Sequence, residues 1–593
     1  MTKLPDNIRS AADLRPLYER PLDMISAAIE KLPRDTELRR ERAVRLLDDG
    51  KIQQALDDIR VAMKHEKPHS ADLLTVAARG ALQSKRNDEA IQFAVLAIKQ
   101  RPGIDQAHGY LATALRRKGD RRGAAEAFGR ALRLNSNRRS YRLAYGQELE
   151  ALGELDRAER VYRHTLLVDG DFGDAALNLA NLLHRRERYD EALVFYQSAE
   201  KLMGQRPFLY SNLGALFRKM GRYEEAHRNY RRSLCMVPGD SGALYNLGNL
   251  FRSEDRLEEA NRTYRRSLAV EPDHAERHWN LSLALLAAGD LDKGFEEYEW
   301  RWKYDDFPSR RRNFDAPMWN GESLEGKTLL LHTEQGVGDV LQFWRFIPHI
   351  VAKKGATGRI VLESHGDLIS LVDGTPGIDQ TIERFATPPP FDYHIPLLSV
   401  ARALGVRTLE DLPTDVPYLG LPPGAEFDIP ELTADKLNVG FVFGGNPKFS
   451  SDKERSTQLS SWAPVLDVPG VRFFCLQKGA READVAAAPD HVIRLNERIT
   501  SFRDTAVAMS KLDLVISTCT STAHLAGALG RPVWVALARN ADWRWLIERE
   551  DSPWYPTARL FRQRERGDWA GVFERMAATL QTEAERHASG ATR

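Results

Sequence analysis

The chain has 593 residues, of which 85 are basic and 84 acidic, and its formal net charge is +1. This length exceeds that of a single domain, so several domains are expected. The balanced charge gives no indication of nucleic acid or an anionic membrane as the partner. The longest apolar runs have the length of strands, which is too short for a transmembrane span.

The N-terminal sequence and the cysteine content indicate the compartment. The first ten residues, MTKLPDNIRS, lack the apolar core of a signal peptide. The three cysteines, Cys235, Cys475 and Cys519, lie far apart in the sequence. This usage is typical of a reducing compartment and disfavours a disulfide framework or a cysteine-based zinc site. We therefore expect a cytoplasmic protein.

The first half of the chain repeats every 34 residues. Small residues, alanine, tyrosine and proline recur at this spacing between LYSNLGALFRKMGRYEEAHRNYRRSLCMVPGD (209–240) and LYNLGNLFRSEDRLEEANRTYRRSLAVEPDH (244–274). The period resembles the tetratricopeptide repeat, a helical hairpin that stacks on its neighbours into a superhelix. We expect a helical cap over residues 1–35 and a repeat superhelix over 36–305. Its first unit, 36–70, is weak, and seven clear repeats follow.

One recurring position in the repeats predicts a binding function. Four asparagines stand 34 residues apart in the first helices of successive repeats: Asn178, Asn212, Asn246 and Asn280. An amide offers a donor and an acceptor, so such a ladder could hold the backbone of an extended acceptor peptide. The alternative is that asparagine recurs in the repeat consensus and makes local hydrogen bonds. We favour the ladder, because earlier repeats carry Tyr110 and Ala144 at this position.

After about residue 306 the helical period stops and β-rich runs begin. The runs that predict strands are KTLLLHTE (327–334), RIVLES (359–364) and FDYHIPLL (391–398). With the helical stretches between the first of them, they predict a Rossmann-like lobe over residues 306–417.

The first of these strands ends in a glycine-rich turn, EQGVGDVLQFWRFIP (334–348). Gly336 and Gly338 permit a tight turn into a helix, and Asp339 lies where that helix starts. The turn is a candidate ligand contact. The alternative is an ordinary strand-to-helix turn in which Asp339 caps the helix.

A stretch rich in proline and glycine, residues 418–432, predicts a linker, and a second lobe follows over 433–593. Its predicted strands are NVGFVFGG (438–445), VRFFCLQKG (471–479), HVIRLN (491–496), LDLVISTC (512–519) and RPVWVALA (531–538). A final helix is expected over roughly 567–587. Two such lobes predict a ligand cleft beyond the carboxyl ends of the strands.

Two strand ends of the second lobe carry polar residues at this edge. Gly444 and Gly445 end the first strand, so the backbone there could approach a ligand closely. The polar side chains that follow the two strands are Asn446, Lys448, Gln477 and Lys478. On the residues alone, a solvated loop and a surface lysine are the simpler interpretations.

The strongest motif is DLVISTCTSTAHLAGALGRPVWVAL (513–537). A buried strand leads into a helix whose free N–H groups and partial positive charge suit a phosphate. The hydroxyl groups of Thr520 and Ser521 could add hydrogen bonds, and His524 lies one turn into the helix. The alternative is a capped helix with a histidine whose hydrogen bonds are satisfied internally.

A later stretch, NADWRWLIEREDSPWYP (540–556), is rich in aromatic residues that could stack on a base or a sugar. Such clusters more often pack a domain boundary, and we favour that interpretation. Arg544, which lies within it, receives no role from the sequence.

In the order of their motifs, the repeats and the two lobes together resemble bacterial glycosyltransferases that join tetratricopeptide repeats to a GT-B fold of the heptosyltransferase type. The matching stretches are EQGVGDVLQFWRF, GNPKFSSDKERS, LQKG, DLVISTCTSTAHLAGALGRPVW and SPWYPTARLFRQRERGDW. Within this class, the chain is most similar to the alphaproteobacterial flagellin glycosyltransferases, which are associated with nonulosonic sugars such as pseudaminic acid.

The resemblance implies roles for the candidate residues. It places Asp339 as the base for a Ser or Thr hydroxyl and His524 beside the leaving phosphate. It places the donor nucleotide-sugar at Gly336, Gly338, Gly444, Gly445, Asn446, Lys448, Gln477, Lys478, Thr520 and Ser521. It implies a metal-independent reaction with no cofactor. Cys519 departs from the family, which usually has an aspartate there, so either donor recognition differs, as for a CMP-linked sugar, or catalysis is weakened.

The expected function is therefore protein O-glycosylation, with flagellin as the acceptor held by the repeats. The main alternative is a non-catalytic adaptor or chaperone whose glycosyltransferase half has degenerated. A third is an enzyme that modifies a glycan or a lipid-linked sugar. The asparagine ladder favours a protein acceptor, and no nucleic-acid partner is expected.

Overall fold

The structure is a computed structural model and describes residues 22–448 and 452–590. The chain divides into two compact units, Met1–Val237 and Pro238–Arg593. Residues 1–21 of the predicted cap lie outside the described residues, and its described part contains α1 (Leu22–Lys31).

The first unit continues as helical hairpins joined by short turns. These pairs are α2 (Thr36–Asp48) with α3 (Ile52–His65), α4 (Ala71–Gln83) with α5 (Asn87–Gln100), α6 (Asp105–Arg117) with α7 (Arg121–Leu134), α8 (Arg139–Ala151) with α9 (Leu155–Val168), α10 (Gly173–Arg185) with α11 (Tyr189–Met203), and α12 (Pro207–Lys219) with α13 (Tyr223–Met236). The second unit begins with two further hairpins, α14 (Ser241–Ser253) with α15 (Leu257–Val270) and α16 (Ala275–Ala287) with α17 (Leu291–Tyr298). The predicted series of helical hairpins is confirmed.

A small residue facing a tyrosine ring explains the 34-residue period. In the first unit, a Cβ atom on Gly146 would lie 2.3 Å from Cε1 of Tyr162, and one on Gly214 would lie 2.7 Å from Cε1 of Tyr230. In the second unit, the corresponding distance from Gly248 to Tyr264 is 2.6 Å. The two helices of a hairpin can therefore pack closely only where the first has little or no side chain.

The second unit next forms a four-stranded parallel sheet with strand order β3-β2-β1-β4. A 3₁₀ segment, Glu299–Lys303, connects the last repeat to it. The strands are β1 (Thr328–His332), β2 (Arg359–Ser364), β3 (Gln380–Glu383) and β4 (Tyr393–Pro396). The accompanying helices are α18 (Val337–Phe343), α19 (Ile347–Ala352), α20 (Gly366–Val372) and α21 (Val400–Ala403).

A second parallel sheet has five strands in the order β6-β5-β7-β8-β9. Its strands are β5 (Leu437–Val442), β6 (Val471–Cys475), β7 (Leu514–Thr518), β8 (Val533–Leu537) and β9 (Ala558–Arg562). Its helices are α22 (Asp452–Arg455), α23 (Ala463–Leu466), α24 (Phe502–Ser510), α25 (Ser521–Ala528) and α26 (Trp569–Ala588). The long α26 corresponds to the predicted final helix.

One predicted strand is wrong, and two strands were missed. Residues 491–496 pair with β6 only through a bridge between Ile493 and Phe474, and a 3₁₀ turn follows at Leu495–Glu497. The missed strands, β3 and β9, each lie at an edge of their sheet. Both carry polar residues and are shorter or less apolar than the central strands, so their sequences lack a continuous apolar run.

The predicted linker, residues 418–432, contains no helix or strand. It is nevertheless fixed, since the backbone N–H groups of Tyr418 and Leu419 both donate to the carbonyl of Ala528, at 3.1 and 3.2 Å.

One apolar core joins side chains of both sheets with those of the last repeat, such as Leu331, Val515 and Phe295. Across the described ranges, no helix is both long and apolar enough to cross a lipid bilayer.

Candidate functional site

Two helices, one following a strand of each sheet, contact each other. Helix α18 follows β1, α25 follows β7, and the starts of the two helices pack together. A Cβ atom on Gly338 would lie 2.9 Å from Cδ2 of His524 and 3.4 Å from Cα of Ser521. Glycine at position 338 therefore permits this close approach, and the structure brings the residues predicted around Asp339 next to those of the strongest motif.

Asp339 lies at this junction and uses both carboxylate oxygens. Its Oδ2 accepts a hydrogen bond of 2.9 Å from the N–H of Gly336, which is the helix-capping role considered from sequence. Its Oδ1 accepts one of 2.6 Å from Nη2 of Arg544. The carboxylate is 22% exposed. Burial raises the pKa of Asp339, and the guanidinium of Arg544 and the N–H of Gly336 oppose that rise.

Arg544 is the principal residue of the site to which the sequence assigned no role. It is only 6% exposed and forms a second ion pair with Oδ1 of Asp542 at 2.8 Å. Its Nε donates to the side-chain oxygen of Gln342, and its guanidinium lies 4.4 Å from the centre of the Trp543 ring. Burial lowers the pKa of Arg544, but Asp542 and Asp339 outweigh this, so the side chain is a fixed cation beside Asp339.

The turn before α18 is held in an unusual conformation. Gln335 has a φ of +57°, which non-glycine residues seldom adopt. Its N–H donates to Oγ of Ser309 at 2.7 Å, and its side-chain amide donates to the hydroxyl of Tyr298 at 2.6 Å. The preceding residue, Glu334, accepts two hydrogen bonds from the fully buried Arg301, at 2.6 and 3.0 Å. The end of the repeat region thereby positions the turn that carries Asp339.

His524 is held within the junction as a neutral side chain. It is 6% exposed, shares a 2.8 Å hydrogen bond between Nδ1 and the hydroxyl of Tyr555, and stacks on Trp545. Burial lowers the pKa of His524 to about 3. The imidazole is therefore uncharged near neutral pH, so it can contribute a hydrogen bond or packing at the predicted phosphate seat but no positive charge.

The glycines of the second lobe are needed for arginine packing. A Cβ atom on Gly444 would lie 2.4 Å from Cδ of Arg481, and one on Gly445 would lie 2.9 Å from Nη2 of Arg455. The buried side chain of Gln477 is fully engaged with the backbone, accepting from the N–H of Gly444 at 3.0 Å and donating to its carbonyl at 3.0 Å. Gln477 therefore fixes this loop, where the sequence predicted a group that faces a ligand.

Two arginines lie over this loop, and the sequence drew attention only to the positive charge of Arg455. Nη1 of Arg455 donates to the carbonyl of Cys519 at 3.1 Å, directly before the start of α25. Arg481 donates to the carbonyl of Gly445 at 3.3 Å and to the buried Asp452 at 2.8 Å. Burial acts to raise the pKa of Asp452, but Arg481 and Ser456 hold it below its usual range. Two guanidinium groups against one carboxylate leave this corner positively charged.

Three further predicted polar residues of the second lobe, Asn446, Lys448 and Lys478, are exposed. Asn446 and Lys448 lie in the exposed part of the loop, where the amide oxygen of Asn446 accepts from the backbone N–H of Lys448 at 3.0 Å. The ammonium group of Lys478 forms an ion pair with Glu482 at 2.7 Å and also donates to the carbonyl of Asn496. Lys478 therefore has an internal partner, as the simpler interpretation of a surface lysine predicts.

The start of α25 has no side-chain cap. The hydroxyl of Thr520, the N-terminal flanking residue, shares a hydrogen bond of 3.0 Å with that of Ser517 and is buried. Ser521 is half-buried at the first helical position. Cys519 is buried and its sulfur accepts from Nε1 of Trp545 at 3.1 Å. Burial raises the pKa of Cys519, so this position carries no negative charge near neutral pH.

The aromatic stretch packs the interior, as we favoured from sequence. Trp543, Trp545, Trp554 and Tyr555 are all buried, and each belongs to the core that joins the two sheets.

The four ladder asparagines are half-buried, two in each unit. In the first unit, Asn212 donates to the amide oxygen of Asn181 at 3.1 Å, and Asn178 has no hydrogen-bond partner in the described part of the chain. In the second unit, Asn246 has partners within the chain. Asn280 donates to the hydroxyl of Tyr245 at 2.9 Å and accepts from Arg252 at 3.2 Å. The amides thus differ in how much hydrogen-bonding capacity they leave for a peptide.

Comparison with protein families identifies the repeats. Two family models described as tetratricopeptide repeat match the chain, one over residues 171–236 and the other over 111–164, 212–269 and 245–301. Residues 111–164 and 171–301 therefore contain tetratricopeptide repeats, as the 34-residue period predicted.

A curated relative, Protein FlbA of Caulobacter vibrioides, is 31% identical over 322 residues. The match covers 50% of this chain and 53% of the relative, so the chain spans about half the length of the curated relative it matches. Solved structures are similar at lower identity. A tetratricopeptide repeat protein from Parabacteroides merdae is 18% identical, with 42% of this chain and 98% of that chain covered and a TM-score of 0.35. Pseudomonas aeruginosa pilF is 17% identical, with 35% and 94% covered and a TM-score of 0.32.

Proposed function

We propose that the chain is a GT-B-type protein O-glycosyltransferase, in which the two parallel sheets are the two lobes of the catalytic half. The observation that carries this proposal is the junction of α18 and α25, where Asp339 of the first lobe meets the uncapped helix start of the second. A carboxylate beside a helix start that suits anions could serve transfer from a phosphate leaving group, the first as a base and the second as the phosphate seat.

The donor phosphate would lie at the start of α25. Helix N–H groups, the hydroxyl of Ser521 and the guanidinium groups of Arg455 and Arg481 would oppose the charge that develops as the sugar–phosphate bond breaks. Of these, Arg455 lies against the carbonyl of Cys519, so its charge is next to the first free N–H groups of the helix. The neutral His524 would act through packing and a hydrogen bond.

Asp339 would accept the proton of the acceptor hydroxyl. For this it must be ionised, and Arg544 favours the ionised form because it places a buried cation 2.6 Å from Oδ1. Arg544 is thus a positioning residue that acts through Asp339. The reaction requires a nucleotide-sugar as co-substrate, and no resident cofactor is proposed.

The repeats would hold the acceptor protein, consistent with the general use of such arrays as protein-binding surfaces. The similarity of the motifs to flagellin glycosyltransferases suggests flagellin as that acceptor. It also suggests a CMP-linked nonulosonic acid such as pseudaminic acid as the donor. An uncharged Cys519 at the family's usual aspartate position would remove a negative charge near the donor, which suits a donor sugar that carries its own carboxylate.

A second candidate function is a non-catalytic adaptor. It is favoured by one observation, that both oxygens of Asp339 already accept hydrogen bonds from Arg544 and Gly336. A carboxylate committed to an ion pair and a helix cap has a structural role even without a substrate.

Nucleotide binding separates the two candidates. We expect one of CMP, UDP, GDP or ADP to raise the melting temperature of the full chain at constant ionic strength, because a ligand that binds the native state stabilises it. Ser521→Asp should abolish that increase, since the added carboxylate repels phosphate while favouring the helix start. The matched control, Ser521→Asn, is uncharged and should retain it. Absence of any nucleotide effect on the unmodified chain would favour the adaptor.

A further inference from the structure

A cavity of about 540 Å³ opens along β9, the outer strand of the second sheet. Its walls come from β9, from residues 547–550 beside that strand, from α26 and from the turn that contains Asp255. Six arginines line it, namely Arg539, Arg549, Arg559, Arg562, Arg564 and Arg575. Three carboxylates line it as well, from Asp255, Glu548 and Glu550. It shares no lining residue with the junction of α18 and α25.

The positive charge of the cavity is only partly neutralised. Arg539 forms an ion pair with Asp255 at 3.4 Å, and Arg549 forms one with Asp551, which does not line the cavity, at 2.6 Å. In the described part of the chain, no carboxylate lies within ion-pair distance of the other four arginines. Arg562 donates instead to the carbonyls of Trp545 and Leu546, at 3.0 and 2.8 Å. These backbone contacts hold the guanidinium in place, and Asp255, beyond ion-pair distance, compensates its charge only in part.

Two buried donors of the lining residues have no partner among the described residues: Nε2 of Gln563 and Nε of Arg562. Gln563 is 4% exposed, and its amide oxygen accepts from the N–H groups of Arg539 and Gly567, at 3.2 and 3.1 Å. That arrangement fixes which end of the amide is the donor. A buried donor without an acceptor is available to a bound group that accepts hydrogen bonds.

We propose that this cavity binds a small molecule that carries phosphate groups. Its volume lies within the range of about 300–1,000 Å³ that is typical of small-molecule sites. Guanidinium groups bind phosphate oxygens in pairs of hydrogen bonds, and the unpaired donors supply more. Ile547, Leu560 and Phe561 provide an apolar wall for the remainder of the ligand. This second site stands independently of the glycosyltransferase proposal.

Hydrogen–deuterium exchange of the full chain with sodium pyrophosphate, at constant ionic strength, tests the proposal. We expect slower exchange in peptides that cover β9 and the first half of α26. In Arg559→Ala/Arg564→Ala, this protection should require roughly tenfold more pyrophosphate or more, since charged hydrogen bonds are lost. Both arginines are exposed, and their side chains donate no hydrogen bond within the described residues. The fold should therefore tolerate the change. Arg586→Ala, an exposed arginine farther along α26, is the control.

Three results would overturn the proposal. Pyrophosphate could leave the exchange of β9 unchanged, or protect only residues 519–528, which would assign its binding to the start of α25 alone. Polyglutamate could protect the cavity where pyrophosphate does not, which would assign it to an acidic polypeptide. Because Ser521→Asp affects only the helix site, its effect on nucleotide binding separates a failure here from a failure of the proposed function.

Discussion

At the scale of single residues, the ion pair between Asp339 and Arg544 is the main electrostatic contact of the junction. The two residues lie 205 positions apart. Asp339 follows β1 of the first sheet, and Arg544 follows β8 of the second. Burial raises the pKa of Asp339, and Arg544 opposes that effect. A general base needs a pKa that leaves it ionised at the working pH yet able to take a proton. In the proposed mechanism, the pair therefore tunes the pKa of the carboxylate as well as its orientation.

The pH dependence of transfer tests this pair. In the proposed mechanism the ionised carboxylate is the active form, so the rate should fall as the pH drops through the raised pKa of Asp339. Arg544→Met removes the cation that opposes the rise, so the acid limb of the kcat/KM profile should move to higher pH. Arg544→Lys keeps a charge and should move it less. An unshifted acid limb in Arg544→Met, with the fold intact by circular dichroism, would exclude the proposed tuning.

At the scale of elements, much of the architecture could be predicted from the sequence. The tyrosine–glycine contacts impose the 34-residue period, and the central strands are continuous apolar runs because both faces are buried. The edge strand β9 lacks this signal. Residues 491–496 have a strand-like composition, but their pairing with β6 is limited to one bridge. Whether a strand lies at an edge depends on the order of strands in the assembled sheet, and no local sequence pattern encodes that order.

The contact between Gly248 and Tyr264 in a repeat of the second unit gives a prediction for stability. Gly248→Leu should destabilise the second unit by about 1–3 kcal/mol, the usual cost of overpacking, because its Cβ atom would lie 2.6 Å from the Tyr264 ring. The displaced ring would also strain the buried 2.7 Å hydrogen bond from its hydroxyl to Asn249. Urea unfolding followed by circular dichroism measures this. Gly239→Leu, at an exposed site where a Cβ atom has no neighbour within 4 Å, is the matched control. Equal stability of the two variants would contradict the packing argument.

At the scale of the whole molecule, the sequence predicted the order of the parts better than the contacts between them. The turn at Asp339 and the helix at Ser521 could be chosen from sequence because each follows a buried strand. The role of Arg544 could not, since only tertiary contacts reveal it. The ion pair between Lys478 and Glu482 could have been predicted, because the sequence places an opposite charge four residues away.

The asparagines of the first unit allow a test of acceptor capture. Asn178→Ala/Asn212→Ala should weaken binding of the acceptor protein by roughly fivefold or more, because each lost hydrogen bond contributes about 0.5–1.5 kcal/mol. Nucleotide binding should be unchanged. Asn229→Ala, whose amide donates to the carbonyl of Glu225 in its own helix, is the control. Acceptor affinity is measured by isothermal titration calorimetry. Equal affinity in all variants would contradict the peptide-binding role and indicate that the asparagines make only local hydrogen bonds.

In the proposed function, the chain transfers a sugar to a protein with Asp339 as the general base. Intact mass spectrometry of a flagellin co-expressed with the chain and the enzymes that make its donor sugar tests this most directly. We predict a mass increase by whole sugar units with the unmodified chain. With Asp339→Asn, the modified fraction should fall sharply, since loss of a general base typically costs about 10²–10⁴ in rate. An unmodified flagellin in both cases, or equal modification in both, would contradict the account.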